Sequence, residues 1–271
     1  MSELPFAART PVSVSRVGLK ARDAEGVAGF YRSVVGLEEL GRDGQALTLG
    51  ARGRPLLVVE SDPAARPDDP GSAGLFHTAF LLPSRADLGR WIRHAAANGI
   101  RLDGASDHLV SEALYLSDPE GNGIEIYVDR DKEEWPMNGS EIAMATERLD
   151  LAAVAGAVPA DDAGWSGMPE NSVVGHVHLR VGDPGQAAAW WNEKFGFETV
   201  SRYGKAAVFL SSGGYHHHIG ANSWHSAGAG RRDPSRSGLS WVEMRSSTAA
   251  EATVQEDPWG TEIRVVPGQP R

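Results

Sequence analysis

The sequence predicts an α+β protein built from four βαβββ modules, and two internal repeats support this prediction. The segment that begins at Arg16, R-V-G-L-K-A-R-D-A-E-G-V-A-G-F-Y-R-S-V-V-G-L-E, aligns without a gap with the segment that begins at His176, H-V-H-L-R-V-G-D-P-G-Q-A-A-A-W-W-N-E-K-F-G-F-E. A second pair begins at Gly74 and Gly238, and each member leads to a D-P-x-G turn and a last strand. Self-similarity of this kind indicates one supersecondary unit used four times.

Within the modules, the same signals predict the same order of elements. A strand comes first, and Asp23 and Asp183 stand where the N-cap of a following helix is expected. Gly36 and Gly196 are placed to end those helices, and short apolar runs predict the remaining strands. The second module has a clear helix around Leu88, L-G-R-W-I-R-H-A-A-A-N-G. The last module has too few residues at this point, so its helix is expected to be short or missing.

These landmarks divide the chain into five parts. The predicted modules cover residues 1–67, 68–135, 173–230 and 231–271, with the last one shortened. Residues 136–172 are predicted to form a connector with a surface helix. The stretch A-D-D-A-G-W-S-G-M-P-E-N in this region is typical of a loop.

Composition restricts the classes of function. The chain has no cysteine, which excludes disulfides, thiolate metal sites and a cysteine nucleophile. Its formal net charge of −10 disfavours binding to nucleic acid phosphates, and it lacks the run of about 18 apolar residues that would span a membrane. The first ten residues lack the apolar core of a signal peptide. We therefore expect a cytoplasmic enzyme or binding protein with no nucleic acid or membrane partner.

Several phrases of the sequence resemble the vicinal oxygen chelate superfamily, and within it the catechol 2,3-dioxygenase-like branch of type I extradiol enzymes. They are the D-P-x-G turn before I-E-I-Y, the F-Y…G-L phrase, D-H-L-V-S-E-A-L-Y-L-S-D-P-E-G-N-G-I-E-I-Y and G-Y-H-H-H-I-G. The resemblance covers essentially the whole chain. It implies paired cup-shaped mixed β-sheets and an extradiol ring-cleaving dioxygenase that uses O₂ and non-haem Fe(II) on a small aromatic diol. A homo-oligomer is compatible with this resemblance.

The resemblance also implies where metal ligands stand, because each module of this fold can offer one ligand from its first strand and one from its last. The first-strand positions hold Arg16, His77, His176 and Trp241, and the last-strand positions of the second and fourth modules hold Glu125 and Arg264. His77, Glu125 and His176 are therefore the predicted ligands. Two imidazoles and one carboxylate suit Fe(II), with Mn(II) as the alternative, and leave coordination positions open.

This triad requires the second and third modules to share a barrel, which leaves the first and fourth as a structural pair. If the first and second modules paired instead, Arg16 would face a site with two ligands. A histidine on a strand is more often a hydrogen-bonded core residue than a ligand, and Glu125 could face water by strand alternation.

Three further residues are predicted to be catalytic from the resemblance. His217 matches the acid–base histidine, His108 matches a histidine that hydrogen-bonds substrate or oxygen, and Tyr115 falls near a tyrosine that contacts the substrate hydroxyl. The family phrase commonly has glycine after the second of these, where this chain has Leu109. The alternative for Tyr115 is a strand aromatic packed in the core.

The three consecutive histidines, 216–218, are predicted to lie in a strand, which would turn His217 to one face and its two neighbours to the other. His216 and His218 are then expected to face solvent or to be hydrogen-bonded. Three consecutive strand residues cannot converge on one ion.

Two other functions remain open from the sequence. A redox-neutral lyase or isomerase of the glyoxalase type would use Ni, Zn or Mn and usually a second acidic ligand, but Arg264 stands at that position. A metal-free protein that binds a drug or metabolite could use the same cup-shaped sheets.

Overall fold

The computed structural model describes residues 3–268 and has the predicted α+β architecture. The helices are α1 (Ala24–Phe30), which continues into a π-helical turn at Tyr31–Val35, α2 (Arg85–Asn98), α3 (Leu151–Gly156) and α4 (Pro184–Phe195), with 3₁₀ turns at Phe6–Arg9 and Lys132–Glu134. The strands are β1 (Val12–Ala21), β2 (Glu38–Asp43), β3 (Ala46–Ala51), β4 (Arg54–Ser61), β5 (Gly74–Leu81), β6 (Gly104–Asp107), β7 (Ser111–Ser117), β8 (Gly123–Asp129), β9 (Met137–Asn138), β10 (Glu141–Ile142), β11 (Glu147–Arg148), β12 (Val173–Arg180), β13 (Glu198–Tyr203), β14 (Ala207–Ser211), β15 (Ile219–Asn222), β16 (Gly238–Ser246), β17 (Thr253–Glu256) and β18 (Glu262–Pro267).

The strands form two large sheets, and each combines two of the repeated segments. The larger sheet has nine strands in the order β11-β6-β7-β8-β5-β12-β15-β14-β13, and the smaller has seven in the order β17-β18-β16-β1-β4-β3-β2. β5 and β12 pair antiparallel in the larger sheet, as β1 and β16 do in the smaller one. Strands from residues 74–129 therefore share a sheet with strands from residues 173–222.

The helix ends follow the signals that the sequence contains. The Asp23 side chain accepts a hydrogen bond from the Gly26 N–H, and Asp183 caps α4 in the same way. Gly36 and Gly196 have left-handed backbones at the C-terminal ends, a conformation that glycine adopts at little cost. These four predictions are confirmed.

One continuous apolar core joins the two sheets and their helices. Leu19 on β1 and Val177 and Leu179 on β12 belong to this core, and each is at most 1% exposed. Full burial of such a side chain contributes about 1.5–3 kcal/mol. Because side chains alternate along a strand, His176 and His178 on β12 point to the opposite face, where they line a cavity.

The last module and the connector differ most from the repeated pattern. Residues 247–252, between β16 and β17, contain no helix, as the short length of that segment predicts. In the connector, β11 pairs antiparallel with β6 at the edge of the larger sheet. The helix expected in the connector is limited to α3, because Glu141–Ile142 and Glu147–Arg148 before it form β10 and β11. Val154 of α3 is fully buried and packs close to Gly89 of α2.

Side chains fill the face of the seven-stranded sheet that corresponds to the cavity side of the larger sheet. The Trp241 ring lies over Gly18, where a Cβ atom would come within 2.2 Å of the indole. The indole N–H donates to Glu60 at 2.7 Å. The Arg264 guanidinium carbon lies 4.0 Å from the indole centroid, a cation–π contact. Trp241 and Arg264 thus occupy the space that an ion and its ligands would need.

In the described part of the chain, no helix combines the length and the apolarity that crossing a bilayer requires.

Candidate metal centre

Three neighbouring strands of the nine-stranded sheet each contribute one predicted ligand. β5 lies between β8 and β12. Glu125 on β8 and His176 on β12 both stand opposite Ala79 of β5. The alanine methyl group is small, so a carboxylate and an imidazole can approach each other across it. His77 lies two residues before Ala79 and so on the same face of β5.

The three side chains meet at one carboxylate oxygen. His77 Nε2 lies 3.0 Å from Glu125 Oε2, and His176 Nε2 lies 3.1 Å from the same oxygen. The three candidate ligand atoms all lie within 4.8 Å of one another. The alternative that Glu125 faces water is wrong, because this residue is only 2% exposed.

Burial and neighbouring imidazoles set the protonation of these groups. Burial alone would raise the pKa of Glu125, but His176 and His77 outweigh it and hold that pKa well below its ordinary value. Burial lowers the pKa of His176 to about 4, against the opposing effect of Glu125. Near neutral pH the carboxylate is therefore ionised and His176 is neutral, which are the forms that bind a divalent cation.

One unsatisfied polar atom of the group fits a bound metal ion. His77 Nε2, a predicted ligand atom, is buried 3.0 Å from Glu125 Oε2 but makes no well-aligned hydrogen bond. A bound cation would further offset the desolvation of the buried carboxylate. Two imidazoles and one carboxylate suit Fe(II) or Mn(II). The residues present are thus compatible with the predicted metal, and their role as ligands stays a prediction.

A cavity of about 800 Å³ opens beside the triad. It is lined by all three predicted ligands and by His108, Tyr115 and His217, the three side chains that the sequence predicts to be catalytic. The structure thus brings all six predicted site residues to one cavity, and the role of each stays a prediction.

His108 and Tyr115 form a hydrogen-bonded pair in the cavity wall. His108 Nδ1 lies 2.6 Å from the Ala145 carbonyl oxygen, which can only accept, so this nitrogen carries the proton. In the neutral imidazole, His108 Nε2 then accepts from the Tyr115 hydroxyl, 2.6 Å away. Burial, reinforced by the Glu125 charge, raises the pKa of Tyr115 well above its ordinary value. Tyr115 is therefore a neutral phenol whose oxygen can still accept a hydrogen bond from a ligand.

Leu109 keeps the turn that places His108, although the family phrase has glycine there. Its φ of +69° lies in the left-handed region, which is unfavourable for a residue with a Cβ atom. Asp107 Oδ1 accepts a hydrogen bond from the Leu109 N–H at 2.9 Å. This local bond offsets part of the strain, and His108 still reaches Tyr115.

The prediction that the three histidines lie in a strand is wrong. β15 begins only at Ile219, and the Gly213–Gly214 turn before them has positive φ at both glycines. All three histidines are buried. His218 Nε2 lies 3.0 Å from the Ala7 carbonyl oxygen, so the hydrogen-bonded alternative, rather than the solvent-facing one, applies to this residue. His216 is hydrogen-bonded as well, to the carboxylate of Asp129 at 2.7 Å.

His217 lies against the predicted ligands, as the resemblance implies. Its ring centroid is 4.1 Å from that of His176, and the side chain lines the cavity. Burial, followed by the neighbouring histidines, lowers the pKa of His217 well below its ordinary value. The imidazole is therefore neutral at neutral pH.

Sequence reasoning missed His178, a buried histidine of the same cavity. Its ring lies 5.0 Å from that of His77 and 5.1 Å from that of Phe76, measured between centroids. Trp224 and Phe209 complete an aromatic wall around it, at 5.5 and 5.8 Å. The signal was present, because H-V-H on a strand puts His178 on the same face as the predicted ligand two residues earlier.

Comparisons with known proteins agree with this fold. The family model of the Glyoxalase/Bleomycin resistance protein/Dioxygenase superfamily matches residues 13–126 and 173–262. The chain is 38% identical over 230 residues to the catechol-2,3-dioxygenase of Bacillus subtilis (strain 168). The aligned residues cover 83% of this chain and 80% of that protein. It is 34% identical over 90 residues to biphenyl-2,3-diol 1,2-dioxygenase 2 of Rhodococcus globerulus, covering 32% of this chain and 47% of that protein.

Two solved structures share the fold. Glyoxalase I from Zea mays matches with a TM-score of 0.58 at 11% identity, covering 97% of this chain and 94% of that chain. The cppA protein from Streptococcus pneumoniae TIGR4 matches with a TM-score of 0.58 at 13% identity, covering 94% of this chain and 98% of that chain. At such low identity these matches show the architecture alone.

Cup-shaped sheets built from repeated βαβββ units are the architecture of the vicinal oxygen chelate class of proteins. The chain belongs to the Glyoxalase/Bleomycin resistance protein/Dioxygenase superfamily. Its extensive identity to the Bacillus enzyme places it in the catechol-2,3-dioxygenase-like branch, and it is an enzyme of that branch.

Proposed function

We propose that this protein is an extradiol ring-cleaving dioxygenase that acts on a catechol-type aromatic diol with O₂ and a non-haem Fe(II). The observation that carries the proposal is the buried cluster of His77, Glu125 and His176 beside a cavity of about 800 Å³. The names of the relatives, a catechol dioxygenase and biphenyl-diol dioxygenases, support the substrate class.

The two imidazoles and the carboxylate would hold the ion through His77 Nε2, His176 Nε2 and a Glu125 oxygen. When bound, Fe(II) supplies open coordination positions and the one-electron chemistry that allows O₂ to react with an aromatic diol. In the overall reaction a ring carbon–carbon bond next to the diol breaks, and both atoms of O₂ enter the product. Mn(II) is the alternative ion for the same ligands.

The cavity side chains handle the substrate and its protons. A diol that binds as an anion must lose a proton, and the neutral His217 imidazole on the cavity wall is a base that can accept it. The Tyr115 oxygen, whose hydrogen is directed to His108, can accept a hydrogen bond from the other hydroxyl group. The aromatic wall of Phe76, Phe209 and Trp224 would exclude water from the ring.

Metal analysis combined with oxygen uptake tests this proposal. Protein purified without chelator should contain iron and should consume O₂ with members of a small catechol panel. His77→Ala and Glu125→Ala should lose both the iron and ring cleavage. His217→Ala should keep the iron and lose turnover, by about 10²–10⁴-fold for a general acid–base residue.

A matched control is His94→Ala, because His94 lies on α2, outside the cavity lining, and in the described part of the chain its hydrogen bonds are with Asn98 of the same helix. This variant should retain iron and activity. Ring cleavage by iron-free protein, or full iron content in Glu125→Ala, would overturn the proposal. Anaerobic, redox-neutral turnover would indicate a lyase or isomerase, and tight ligand binding without metal would indicate a binding protein.

A further inference from the structure

A line of hydrogen-bonding groups runs from His217 away from the cavity. His217 Nδ1 lies 2.8 Å from His216 Nδ1, and His216 Nε2 lies 2.7 Å from Asp129 Oδ1. His216 is fully buried, and the Asp129 side chain is 17% exposed. The Nδ1 atom of His217 is therefore hydrogen-bonded to His216, and its Nε2 atom has no hydrogen-bond partner among the described residues.

The donors and acceptors in this line determine where the protons lie. An ionised carboxylate only accepts hydrogen bonds, so His216 Nε2 carries a proton and donates it to Asp129. With one proton on each imidazole, His216 keeps a lone pair on Nδ1. Because two Nδ1 atoms 2.8 Å apart need one proton between them, His217 Nδ1 is then the donor. The lone pair of His217 is therefore on Nε2.

The Asp129 carboxylate is itself held in place. Tyr215 donates its hydroxyl proton to Asp129 Oδ1 at 3.2 Å, and the Tyr127 and Tyr215 hydroxyl oxygens lie 2.7 Å apart. Gly175 leaves the space for Tyr127, because a Cβ atom there would come within 1.8 Å of the phenol oxygen. Fixed neighbours on the carboxylate make one orientation of the two imidazoles persistent.

We propose that Asp129 and His216 are positioning residues that fix His217 as its Nδ1–H tautomer. His217 then presents the Nε2 lone pair to the cavity, where a hydroxyl group of the substrate can donate to it. This inference rests on the proposed function for the use of that lone pair, while the tautomer itself rests on the hydrogen-bond line with one proton on each imidazole. It assigns a purpose to two residues that the predicted site does not include.

The tautomer can be measured directly by NMR. Full-length protein labelled with ¹⁵N-histidine, both metal-free and reconstituted with diamagnetic Zn(II), would be examined by long-range ¹H–¹⁵N correlation. The wild type should show His217 protonated at Nδ1. His216→Phe removes the acceptor and should shift His217 towards the Nε2–H form. His216→Asn restores a carbonyl acceptor near the former Nδ1 and should return the Nδ1–H form.

The carboxylate is tested by a second pair of variants. Asp129→Leu should release the His216 tautomer and lower kcat about 10- to 100-fold, the range for residues that orient a functional histidine, with KM and iron content little changed. Asp129→Asn keeps an acceptor oxygen for His216 Nε2–H and should stay close to the wild type in tautomer and kcat.

The NMR result stands apart from the proposed function, because it does not require ring cleavage. A wild-type His217 in the Nε2–H form would overturn the inference, as would a tautomer that is unchanged in both His216→Phe and Asp129→Leu. Absence of oxygenase activity with the Nδ1–H tautomer intact would instead reject the proposed function and leave the tautomer assignment in place.

Discussion

At the scale of single residues, Glu125 illustrates how burial and function are linked. Its carboxylate is 2% exposed, and among the described residues its ionic partners within 3.1 Å of Oε2 are two imidazole nitrogens. Burial of the carboxylate carries a desolvation cost, and the two imidazoles offset that cost. Such a group is expected where a cation is to be bound, which is why this residue carries the proposed function.

Leu109 gives a prediction about local strain. Leu109→Gly should keep the turn, because glycine adopts the left-handed conformation readily. Its unfolding free energy should differ from that of the wild type by less than about 1 kcal/mol. The relief of strain in the folded state and the greater entropy of the unfolded chain oppose each other. Leu109→Val should lose about 1–2 kcal/mol, because a β-branched residue is poorly suited to positive φ. Denaturant unfolding measures both, and a glycine variant less stable than the valine variant would contradict the prediction.

His218 gives a prediction about pH. Burial, only partly offset by its bond to the Ala7 carbonyl, lowers the pKa of His218 to about 3. The unfolded chain, with an ordinary histidine pKa of about 6.5, therefore binds more protons than the folded one between those values, and stability falls as the pH is lowered through this window. Between pH 6.5 and pH 4 this residue should account for a loss of about 3 kcal/mol.

Denaturant unfolding from pH 7 to pH 4 would measure this effect. His218→Gln should show a flatter dependence of unfolding free energy on pH than the wild type, whatever its absolute stability. His225→Gln is the control, because His225 is exposed and its removal should leave the slope unchanged. Parallel curves for the wild type and His218→Gln would refute the assignment.

At the scale of elements, β12 shows how one strand serves both core and site. Its core-facing residues, Val177 and Leu179, pack in the apolar cluster, while His176 and His178 line the cavity. Its pairing with β5 contains register shifts between Val174 and His176 and between His178 and Leu179. A one-residue slip would exchange the two faces and bury the imidazoles in the core.

Gly175, within that irregular part of β12, gives a prediction at this scale. Gly175→Ala places a Cβ atom within 1.8 Å of the Tyr127 hydroxyl oxygen, and overpacking of this kind costs about 1–3 kcal/mol. Gly41→Ala on β2 is the matched control, because nothing lies within 4 Å of its Cβ position. Thermal unfolding should show a clear loss for the first variant and almost none for the second. Equal stability of both variants would mean that Tyr127 moves aside without cost.

At the scale of the whole molecule, two related sheets have different uses. In the nine-stranded sheet, His77, Glu125 and His176 face an open cavity. In the seven-stranded sheet, Trp241 covers Gly18, the Arg264 guanidinium lies against the indole ring, and the two side chains fill the corresponding space. One sheet is therefore suited to bind a ligand and the other to support the fold.

This difference predicts the metal stoichiometry. Anaerobic titration with Fe(II) should reach one ion per chain, because the described part of the seven-stranded sheet offers no second set of ligands. Elemental analysis should give close to one ion for the wild type and for Trp241→Phe, and none for Glu125→Ala. Two ions per chain, or an ion retained in the Glu125 variant, would contradict this assignment.

Local signals predicted much of the fold. The repeat predicted the order of strands and helices, the cap residues Asp23 and Asp183 predicted helix starts, and the short fourth module predicted the missing helix. These signals work because capping and alternation depend on a few neighbouring residues. The strand predicted for the three histidines failed, because the turn at Gly213 and tertiary hydrogen bonds overrode the apolar neighbours.

By itself, the sequence determined the repeated unit and which residue types occupy each ligand position, since both are read along the chain. Only the tertiary structure decided that β5 lies beside β12, which brings His77 and His176 to the same carboxylate across about a hundred residues of chain. It also decided that Asp129 meets His216. Pairing between distant strands depends on the packing of the whole core, so no local pattern specifies which buried polar groups become neighbours.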